Sequence, residues 1–597
     1  MCVLSLLREL VFHGWAHSYD SAIYVRSLWG VAQGNLHNPW VDLHVLSVHG
    51  NFVLFLLAPF TAVMHPASVL IWSQCLALGA TVWIVVAEFR RLAIDARMDR
   101  SSIVAVTAFA AFAMTVGTPM VINPFLFDVR PDLIGIPFLV YGLTRARRIG
   151  HFDTRALGVM LLSLTVREEY MMVIVGAMII TPFPRPLREG WRIRLVGLSL
   201  SVGYFALYWF GFRTWIGDGS FAIAQDVSVS FLEGAELSPL QILGYKLEIV
   251  VVFLASVGGL SLLGWRWIGS ALPGLLFLLI SSRLQDLVLN FHYVMFVIPG
   301  VLVAAAAGFE RWLKMRERGI GLQMVSAGLV TGVFILSSAL PGGGRFRSEN
   351  FFLLEPEDVA RRPDLDAVYD LVHQIPDDTG IAVPHELAAP IADRALGVSI
   401  HDYLDEVSET SVPGGIDWLL LPGNRWADAG RILVDLHGFR LVDFHGTRLA
   451  LLTRDATARA NWPALVAVDS PATCLHPLAT WPLAGFSLCA IEPRADGRLR
   501  VTILRTESPD ERLLLRPLAL LVRPEGAEGF VPAFMLRGLV NPSQIPAGGS
   551  GVFVTDEVVV SGPTGRVEIA LTFTEGGAIP VDVPGMSEPT GAVSVQW

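Results

Sequence analysis

Charged residues and cysteines are scarce in this sequence. Asp, Glu, Lys and Arg make up 16% of the 597 residues and hydrophobic residues 53%, whereas a soluble chain averages about 25% charged residues. The mean hydropathy is +0.53, and such an apolar excess needs lipid as its solvent. No apolar run after residue 341 is long enough to span a membrane, so any membrane-spanning part lies before that point.

Two further absences exclude other classes of protein. The chain has four cysteines, Cys2, Cys75, Cys474 and Cys489, which are too few for a disulfide framework or a four-thiolate zinc site in one place. Cys474 and Cys489 either pair or remain as two buried thiols, and their spacing does not decide between these. The net charge of −10 opposes binding to nucleic acid, because phosphates need a basic surface.

Apolar runs bounded by charged residues, Gly or Pro predict an α-helical polytopic membrane protein with about ten crossings. They fall at residues 50–64, 66–88, 101–121, 132–144, 155–166, 170–182, 195–212, 243–263, 268–282, 293–309 and 320–340. Several are shorter than the roughly 20 residues that a crossing helix needs, so neighbouring helices must shelter them. The opening MCVLSLLRELVFHG is too short for a span, and we expect it to be the end of a helix whose beginning is missing.

The distribution of Lys and Arg between alternate loops predicts the orientation. One set comprises residues 89–100, 145–155, 184–194, 264–267 and 310–319. This set carries 17 basic residues and the intervening set 5, and basic loops stay preferentially in the cytoplasm. If the run 50–64 crossed, residues 14–49 would be cytoplasmic; because they carry only one Arg, we expect this run to lie along or dip into the outer surface. The first external loop then covers about residues 14–65, and the last run exits outward. The prediction is a plasma (inner) membrane domain over residues 1–340, followed by an exported remainder.

Two domains are predicted in the exported part. Residues 347–455 alternate helix-like and strand-like stretches, such as DLDAVYDLVHQIP and TGIAVP, which is typical of a small α/β domain. Residues 460–597 hold short β-type runs, such as RLRVTIL and VEIALTF, between clusters of Gly, Pro and Asp. That pattern predicts a C-terminal β-sandwich, which we expect to bind or support rather than catalyse.

Ionisable residues gather at the predicted external ends of the membrane helices. They are His17, Asp20, Arg26, His49, Asp128, Arg130, Asp132, Arg167, Glu168, Glu169, Arg283, Asp286 and His292, with Tyr293 beside the last. A charged residue at a membrane helix indicates function by default, although a single cluster is explained as well by a helix end wetted by solvent. Their convergence on one side is therefore the strongest functional signal in the sequence.

The segment TVREEY, residues 165–170, is the hardest of these to explain as a solvated loop. It interrupts two short apolar runs, so we expect it at the tip of a helical hairpin, buried against neighbours. Arg167 should pair with a carboxylate, because an unpaired buried charge is costly. An external cavity of this composition suits an arginine-bound phosphate with a carboxylate base. A divalent metal is an alternative, but no HExxH or CxxC spacing supports a specific metal site or cofactor.

Four motifs in order resemble the DUF2079 family of membrane proteins. HSYDSAIYVRSLWGVAQGNLHNP resembles the family's opening motif, NPFLFDVRPDLIGIPFL its F-H-P-D element, VREEY its K-E-D element and NFHYVMFVIPGVLVAAAAG its H-Y-x-x-P element. The match covers most of residues 15–455. The chain departs from the family at Val25, where a second aspartate is usual, and in having Arg130 and Arg167 for the usual His and Lys.

The resemblance implies a function, because the family is grouped with the GT-C type glycosyltransferases. These membrane enzymes take sugar from a polyprenyl-phosphate carrier on the outer face. The resemblance implies that Asp20 is the general base of an inverting transfer and that Arg130, Arg167 or Arg283 holds the lipid phosphate. A transporter or lipid-handling protein is the alternative, although no internal repeat supports it. A non-catalytic envelope scaffold is a third reading, which leaves the membrane carboxylates without a role.

Overall fold

The computed structural model divides the chain into two compact units. The first is Met1–Arg362 with Ala389–Asp393, and the second is Pro363–Ala388 with Arg394–Trp597. In the first unit the structure describes residues 19–41, 43–115, 129–181, 190–216, 239–280 and 292–316. In the second it describes parts of residues 371–455 and the strands that follow.

The described part of the first unit is almost entirely helical. Its α-helices are α1 (Tyr19–Gln33), α2 (Val45–Val48), α3 (Val53–Leu57), α4 (Pro66–Asp95), α5 (Arg100–Thr115), α6 (Ile136–Ile149), α7 (Thr154–Leu162), α8 (Met171–Ile180), α9 (Trp191–Ala206), α10 (Arg213–Ile216), α11 (Pro239–Ala255), α12 (Leu260–Leu263), α13 (Leu272–Ile280) and α14 (Ile298–Arg316). Short 3-10 turns join several of them, at Ala58–Ala62, Pro131–Gly135, Ser163–Thr165, Glu168–Tyr170, Ser256–Gly259, Trp265–Ser270 and His292–Phe296. A π-helical stretch, Leu207–Phe212, joins α9 to α10. A two-stranded ribbon pairs β1 (His37–Asn38) with β2 (Leu43–His44).

Local sequence explains where the helices begin and end. The side chain of His65 accepts a hydrogen bond from the N–H of Ala67 at the start of α4, and Pro66 fills the first helical position, where no N–H is needed. Asp153 caps α7 through the N–H of Ala156. Gly150 ends α6 with a φ of +79°, a conformation that glycine adopts at little cost.

Three of the described helical stretches are long and apolar enough to cross a membrane, judged by length and composition. They are Pro66–Asp95, Trp191–Ile216 and Val294–Met315, and they coincide with three of the predicted runs. Shorter apolar helices cover Val53–Ala62, Arg100–Ala111 and Thr154–Thr165. The prediction of about ten crossings, like the assignment of inside and outside, stays a prediction.

The core of the first unit forms where α4, α6 and α14 pack together. Phe89 of α4 stacks on Phe309 of α14 with ring centroids 4.9 Å apart. Helix α14 also packs closely on α12, so that a side chain at Gly308 would clash with the carbonyl oxygen of Leu260. Small residues allow this approach of two backbones, as is common between membrane helices.

The second unit contains a mixed sheet of five short strands in the order β4-β3-β5-β7-β6. The strands are β3 (Ile381–Val383), β4 (Gly397–Ser399), β5 (Trp418–Pro422), β6 (Arg440–His445) and β7 (Leu449–Thr453), with α15 (Ile400–Glu406) after β4. Strand β3 runs parallel to β4 and β5, whereas β7 runs antiparallel to β5 and β6. Leu419, Leu421 and Leu452 lie in its buried core.

The remaining strands form two antiparallel sheets of four strands each. One has the order β13-β10-β9-β8 and the other β12-β11-β14-β15. The strands are β8 (Ala479–Trp481), β9 (Phe486–Pro493), β10 (Arg498–Arg505), β11 (Leu518–Pro524), β12 (Val531–Met535), β13 (Val552–Val559), β14 (Arg566–Phe573) and β15 (Val593–Gln596). The strand content follows the sequence pattern, and the packing of the two sheets into a sandwich remains a prediction.

Candidate functional site

The segment TVREEY lies between the short helices α7 and α8 and is buried, as predicted. Glu168 and Tyr170 have no exposed surface, and Arg167 is 2% exposed. Two 3-10 turns carry the chain through this segment, with Arg167 in an extended conformation between them. The break in helical geometry turns three consecutive charged side chains into the interior of the first unit.

Arg167 forms ion pairs with two carboxylates, which confirms the prediction that its buried charge has a carboxylate partner. Its Nη1 donates to Asp132 Oδ2 at 2.5 Å. Its Nε and Nη2 donate to the two carboxylate oxygens of Glu169, at 3.0 and 3.3 Å. The guanidinium also lies 5.6 Å from the ring centroid of Phe296. Charge-assisted, bidentate bonds of this kind are strong and fix the orientation of both groups.

Asp132 connects this segment to the first helix. It lies at the start of the turn Pro131–Gly135, where Tyr170 donates to its backbone carbonyl at 2.7 Å and Tyr24 donates to Oδ2 at 3.4 Å. Arg130 Nη1 is 3.9 Å from the same oxygen. The other carboxylate oxygen, Oδ1, is buried and has no hydrogen-bond partner within the described part of the chain.

Helix α1 is attached to the Arg130 segment by its first turn. Ser21 Oγ accepts a hydrogen bond from the N–H of Val129 at 3.0 Å, and the guanidinium of Arg130 lies 5.6 Å from the ring centroid of Tyr24. Arg26 is further along α1, buried, with its guanidinium 4.3 Å from the ring centroid of Trp29. The beginning of α1 and the Arg130 segment therefore form one corner of the site.

His49 meets both glutamates of TVREEY from the segment after α2. Its Nδ1 is 3.2 Å from Glu168 Oε1 and 3.5 Å from Glu169 Oε1. The N–H of Gly50 donates to Glu168 Oε2 at 2.8 Å. A side chain at Gly50 would approach the ring of Tyr208 at 3.2 Å, so glycine lets the backbone reach the carboxylate.

The three groups differ in their response to this environment. Burial and then the negative charge of Glu169 raise the pKa of Glu168. Burial acts in the same direction on Glu169, but Arg167 and His49 outweigh it and lower the pKa of Glu169 to about 2. Burial and Arg167 lower the pKa of His49, but the two glutamates outweigh them, so that its pKa is raised. Glu168 is thus the carboxylate that most readily holds a proton.

Six of the residues predicted from sequence come together in this cluster. They are His49, Arg130, Asp132, Arg167, Glu168 and Glu169. Asp128 and Arg283 lie outside the described residues, as do His17 and Asp286 and the side chains of Asp20, His292 and Tyr293. Asp20 belongs to the first turn of α1, next to Ser21.

Sequence reasoning missed three partners of the cluster. Tyr24 and Tyr170 hydrogen-bond to Asp132, and Gly50 to Glu168. Tyr24 lies four residues after Asp20, on the same face of a helix, and that spacing is a usable signal. Tyr170 adjoins the charged triplet, but a tyrosine at the edge of an apolar run is unremarkable by itself. A backbone N–H such as that of Gly50 leaves no signal in sequence.

These elements define the class of protein: an integral membrane protein whose apolar helices enclose a buried polar centre with arginines, carboxylates and a histidine. Such a centre can bind an anion through its arginines, exchange protons at Glu168, or hold a cation at His49. The family model for DUF2079, described as a predicted membrane protein, matches residues 15–431. The chain belongs to the DUF2079 family, as the motifs predicted.

Other comparisons give distant similarity only. The chain is similar to two crystal structures of ArnT from Cupriavidus metallidurans, one bound to undecaprenyl phosphate and one in the apo state. The sequence identities are 13% and 10%, and the TM-score is 0.42 in both cases. Each match covers 77% of this chain, and 98% and 99% of the two ArnT chains. Comparison with curated proteins gives no match.

Proposed function

We propose that the protein is a membrane glycosyltransferase of the GT-C type, which transfers a sugar from a polyprenyl-phosphate carrier to an envelope acceptor. Membership of the DUF2079 family supports the class, because that family is grouped with the GT-C enzymes. The buried charges also support it. Burying an ionisable residue in a membrane protein costs free energy, so such residues usually mark a functional site. Asp20 is the proposed general base.

The observation that carries this proposal is the hydrogen bond between Ser21 and Val129. The N–H of Val129 donates to Ser21 Oγ at 3.0 Å, and each residue adjoins a proposed functional group. Asp20 precedes Ser21 on α1, and Arg130 follows Val129. The bond brings the chain at Asp20 close to the chain at Arg130, and a base near a phosphate-binding arginine would suit transfer from a phospho-sugar.

The proposed reaction is a single displacement. The acceptor hydroxyl attacks the anomeric carbon, the bond from that carbon to the phosphate oxygen breaks, and the polyprenyl phosphate leaves with the electron pair. Asp20 takes the proton of the hydroxyl. Arg130 would stabilise the negative charge of the leaving phosphate. Arg167 is already bound to Asp132 and Glu169, so its proposed part is to shape the phosphate site through them.

Sugar transfer by the full-length chain in nanodiscs tests the proposal. The chain is incubated with a panel of radiolabelled polyprenyl-phosphate hexoses and pentoses and with an envelope extract as acceptor. Asp20→Asn should lower the transfer rate by about 100-fold or more, since this is the range of general base catalysis. Asp153→Asn, which changes a carboxylate in a capping pair, is the control and should transfer normally. Transfer that persists in Asp20→Asn would exclude this residue as base.

The orientation and the exported domains are part of the same proposal. Residues 347–455 would form an exported α/β domain and residues 460–597 an exported β-sandwich, with the site opening to the non-cytoplasmic face of the inner membrane. The bias of basic residues toward the opposite loops supports this orientation. Single cysteines placed at residues 97 and 410, in a chain whose own four cysteines are replaced by serine, test it. An impermeant thiol reagent added to intact cells should label position 410 alone, and labelling of position 97 alone would reverse the topology.

A further inference from the structure

His49, Glu168 and Glu169 have the spacing of metal ligands. One ligand atom from each lies within 4.8 Å of the other two. His49 Nδ1 is 3.2 Å from Glu168 Oε1 and 3.5 Å from Glu169 Oε1. Two ligands with metal bonds of about 2.0–2.2 Å lie roughly 3.4 Å apart around a tetrahedral ion. The two distances fit a bound ion, and the shorter one also fits the hydrogen bond between His49 Nδ1 and Glu168 Oε1.

The carboxylates are oriented by groups outside this triangle. The second oxygen of Glu168 accepts from the N–H of Gly50 at 2.8 Å. The second oxygen of Glu169 accepts from Arg167 Nε at 3.0 Å. Each glutamate thus keeps Oε1 toward His49, and in Glu169 that oxygen also accepts from Arg167 Nη2 at 3.3 Å. Outer partners of this kind fix the direction of metal ligands and tune their affinity.

Two buried acceptors in segments that carry the cluster also have no donor within the described part of the chain. Asn51, two residues after His49, is 1% exposed, and its Oδ1 has no hydrogen-bond partner within the described part of the chain. The same holds for Oδ1 of Asp132, which is bound through Arg167 to Glu169. Buried acceptors without donors are costly. His49 is 21% exposed on its side chain, which leaves a path for an ion to enter.

We propose that His49, Glu168 and Glu169 form a binding site for one divalent transition-metal ion, with Zn²⁺ or Mn²⁺ as the fitting ions. One imidazole and two carboxylates suit these ions, whereas Mg²⁺ and Ca²⁺ prefer oxygen ligands alone. Three protein ligands leave at least one coordination position open. The site does not depend on the proposed sugar transfer, because the geometry of the three ligands carries it.

Metal content of the purified full-length chain tests this site. The chain is stripped with a chelator in nanodiscs and dialysed against Zn²⁺ or Mn²⁺, and bound metal is measured by mass spectrometry. We expect one ion per chain and at least tenfold weaker retention in His49→Ala and Glu168→Gln. Glu310→Gln, which changes a carboxylate bound to Arg147 and Lys314, is the matched control. Equal retention in His49→Ala and in the unaltered chain, or no stoichiometric binding, would overturn the proposal.

The visible absorption of bound Co²⁺ shows whether a variant has lost one metal ligand or has failed to fold. Co²⁺ in the unaltered chain should give the visible bands of a site with nitrogen and oxygen ligands. His49→Cys should still bind Co²⁺, but with the added charge-transfer absorption of a thiolate bond, because a thiolate replaces the imidazole as ligand. Unchanged spectra in His49→Cys would show that the ion binds elsewhere and would contradict the assignment.

Discussion

Two buried clusters of arginines and carboxylates in the membrane unit differ in what they leave unused. In the first, Glu88 of α4 is surrounded by three arginines. Arg91 donates at 2.8 Å, Arg148 at 2.5 Å, and Arg147 of α6 contacts it and also bonds Glu310 of α14 at 2.6 Å. Every carboxylate oxygen of Glu88 is taken, and the unpartnered atom is a donor, Nε of Arg147.

The second cluster, around Arg167, differs in the state of its carboxylates. Its carboxylates outnumber the arginines that contact them, Glu168 faces a histidine and a backbone N–H, and Asp132 keeps an unpartnered oxygen. A carboxylate whose oxygens are all bonded holds helices together, whereas buried carboxylate oxygens without donors are costly and are often functional. We infer that the Glu88 cluster joins helices and that the Arg167 cluster performs chemistry.

Glu88→Ala should have the largest effect on stability. Removal of the carboxylate leaves Arg147 buried without its main partner, and breaking a buried pair in this way costs about 3–5 kcal/mol. Thermal unfolding of the detergent-solubilised chain measures this loss. Asp95→Asn is the matched control, because Asp95 is exposed and also bonds Arg91, and it should change stability by less than about 1 kcal/mol. Equal effects of the two variants would remove the structural role given to the Glu88 cluster.

Gly135→Ala should disturb the Arg167 cluster by an intermediate amount. An added Cβ would clash with Cε2 of Tyr170, and such overpacking costs about 1–3 kcal/mol. The ring must move, and its hydrogen bond to the carbonyl of Asp132 should lengthen. Unfolding and sugar transfer should therefore both be affected. Gly79→Ala in α4 is the control, since a Cβ there meets nothing within 4 Å, and no loss is expected.

Asp153→Asn should have the smallest effect on the free energy of unfolding, and this effect should depend on pH. Arg145 bonds Asp153 at 2.9 Å and, as the largest cause, lowers the pKa of that carboxyl below its ordinary value. A lowered pKa stabilises the folded state above the ordinary pKa near 3.8, and this contribution is lost as pH falls through the folded value. Both side chains are partly exposed, so we expect a loss of about 1 kcal/mol or less.

Thermal unfolding from neutral pH down to about pH 3 checks the sign of this effect. As the pH falls below about 3.8, the unaltered chain should lose stability relative to Asp153→Asn, and the difference between the two should shrink. A difference that grows toward acid would mean that the carboxylate does not stabilise the fold through its charge.

The sequence alone predicted the general nature of the Arg167 cluster, but not its pairs. Two short apolar runs around TVREEY predicted burial, and burial predicted a carboxylate for Arg167. The choice of Asp132, 35 residues away, depends on how the turn Pro131–Gly135 packs, and no local pattern carries that information. The opposite pKa shifts of Glu168 and Glu169 depend on which neighbours each side chain meets from the 3-10 turn.

The Glu88 cluster was missed for a different reason. Glu88 ends the apolar run 66–88 and was not among the predicted site residues, although the structure buries it completely. A signal was present in Arg91, three residues later on the same helix face. Its second and third arginines come from α6, and only the packing of α4 against α6 brings them to it.

Thermal unfolding of Glu168→Gln beside Glu88→Gln tests most directly whether the two clusters have different purposes. Burial and the neighbouring Glu169 raise the pKa of Glu168, so a neutral amide should relieve an unfavourable charge. The account predicts that Glu168→Gln unfolds at the same temperature as the unaltered chain or higher, while Glu88→Gln unfolds at a clearly lower one. A loss of stability in Glu168→Gln as large as that in Glu88→Gln would contradict the account, because both clusters would then be structural.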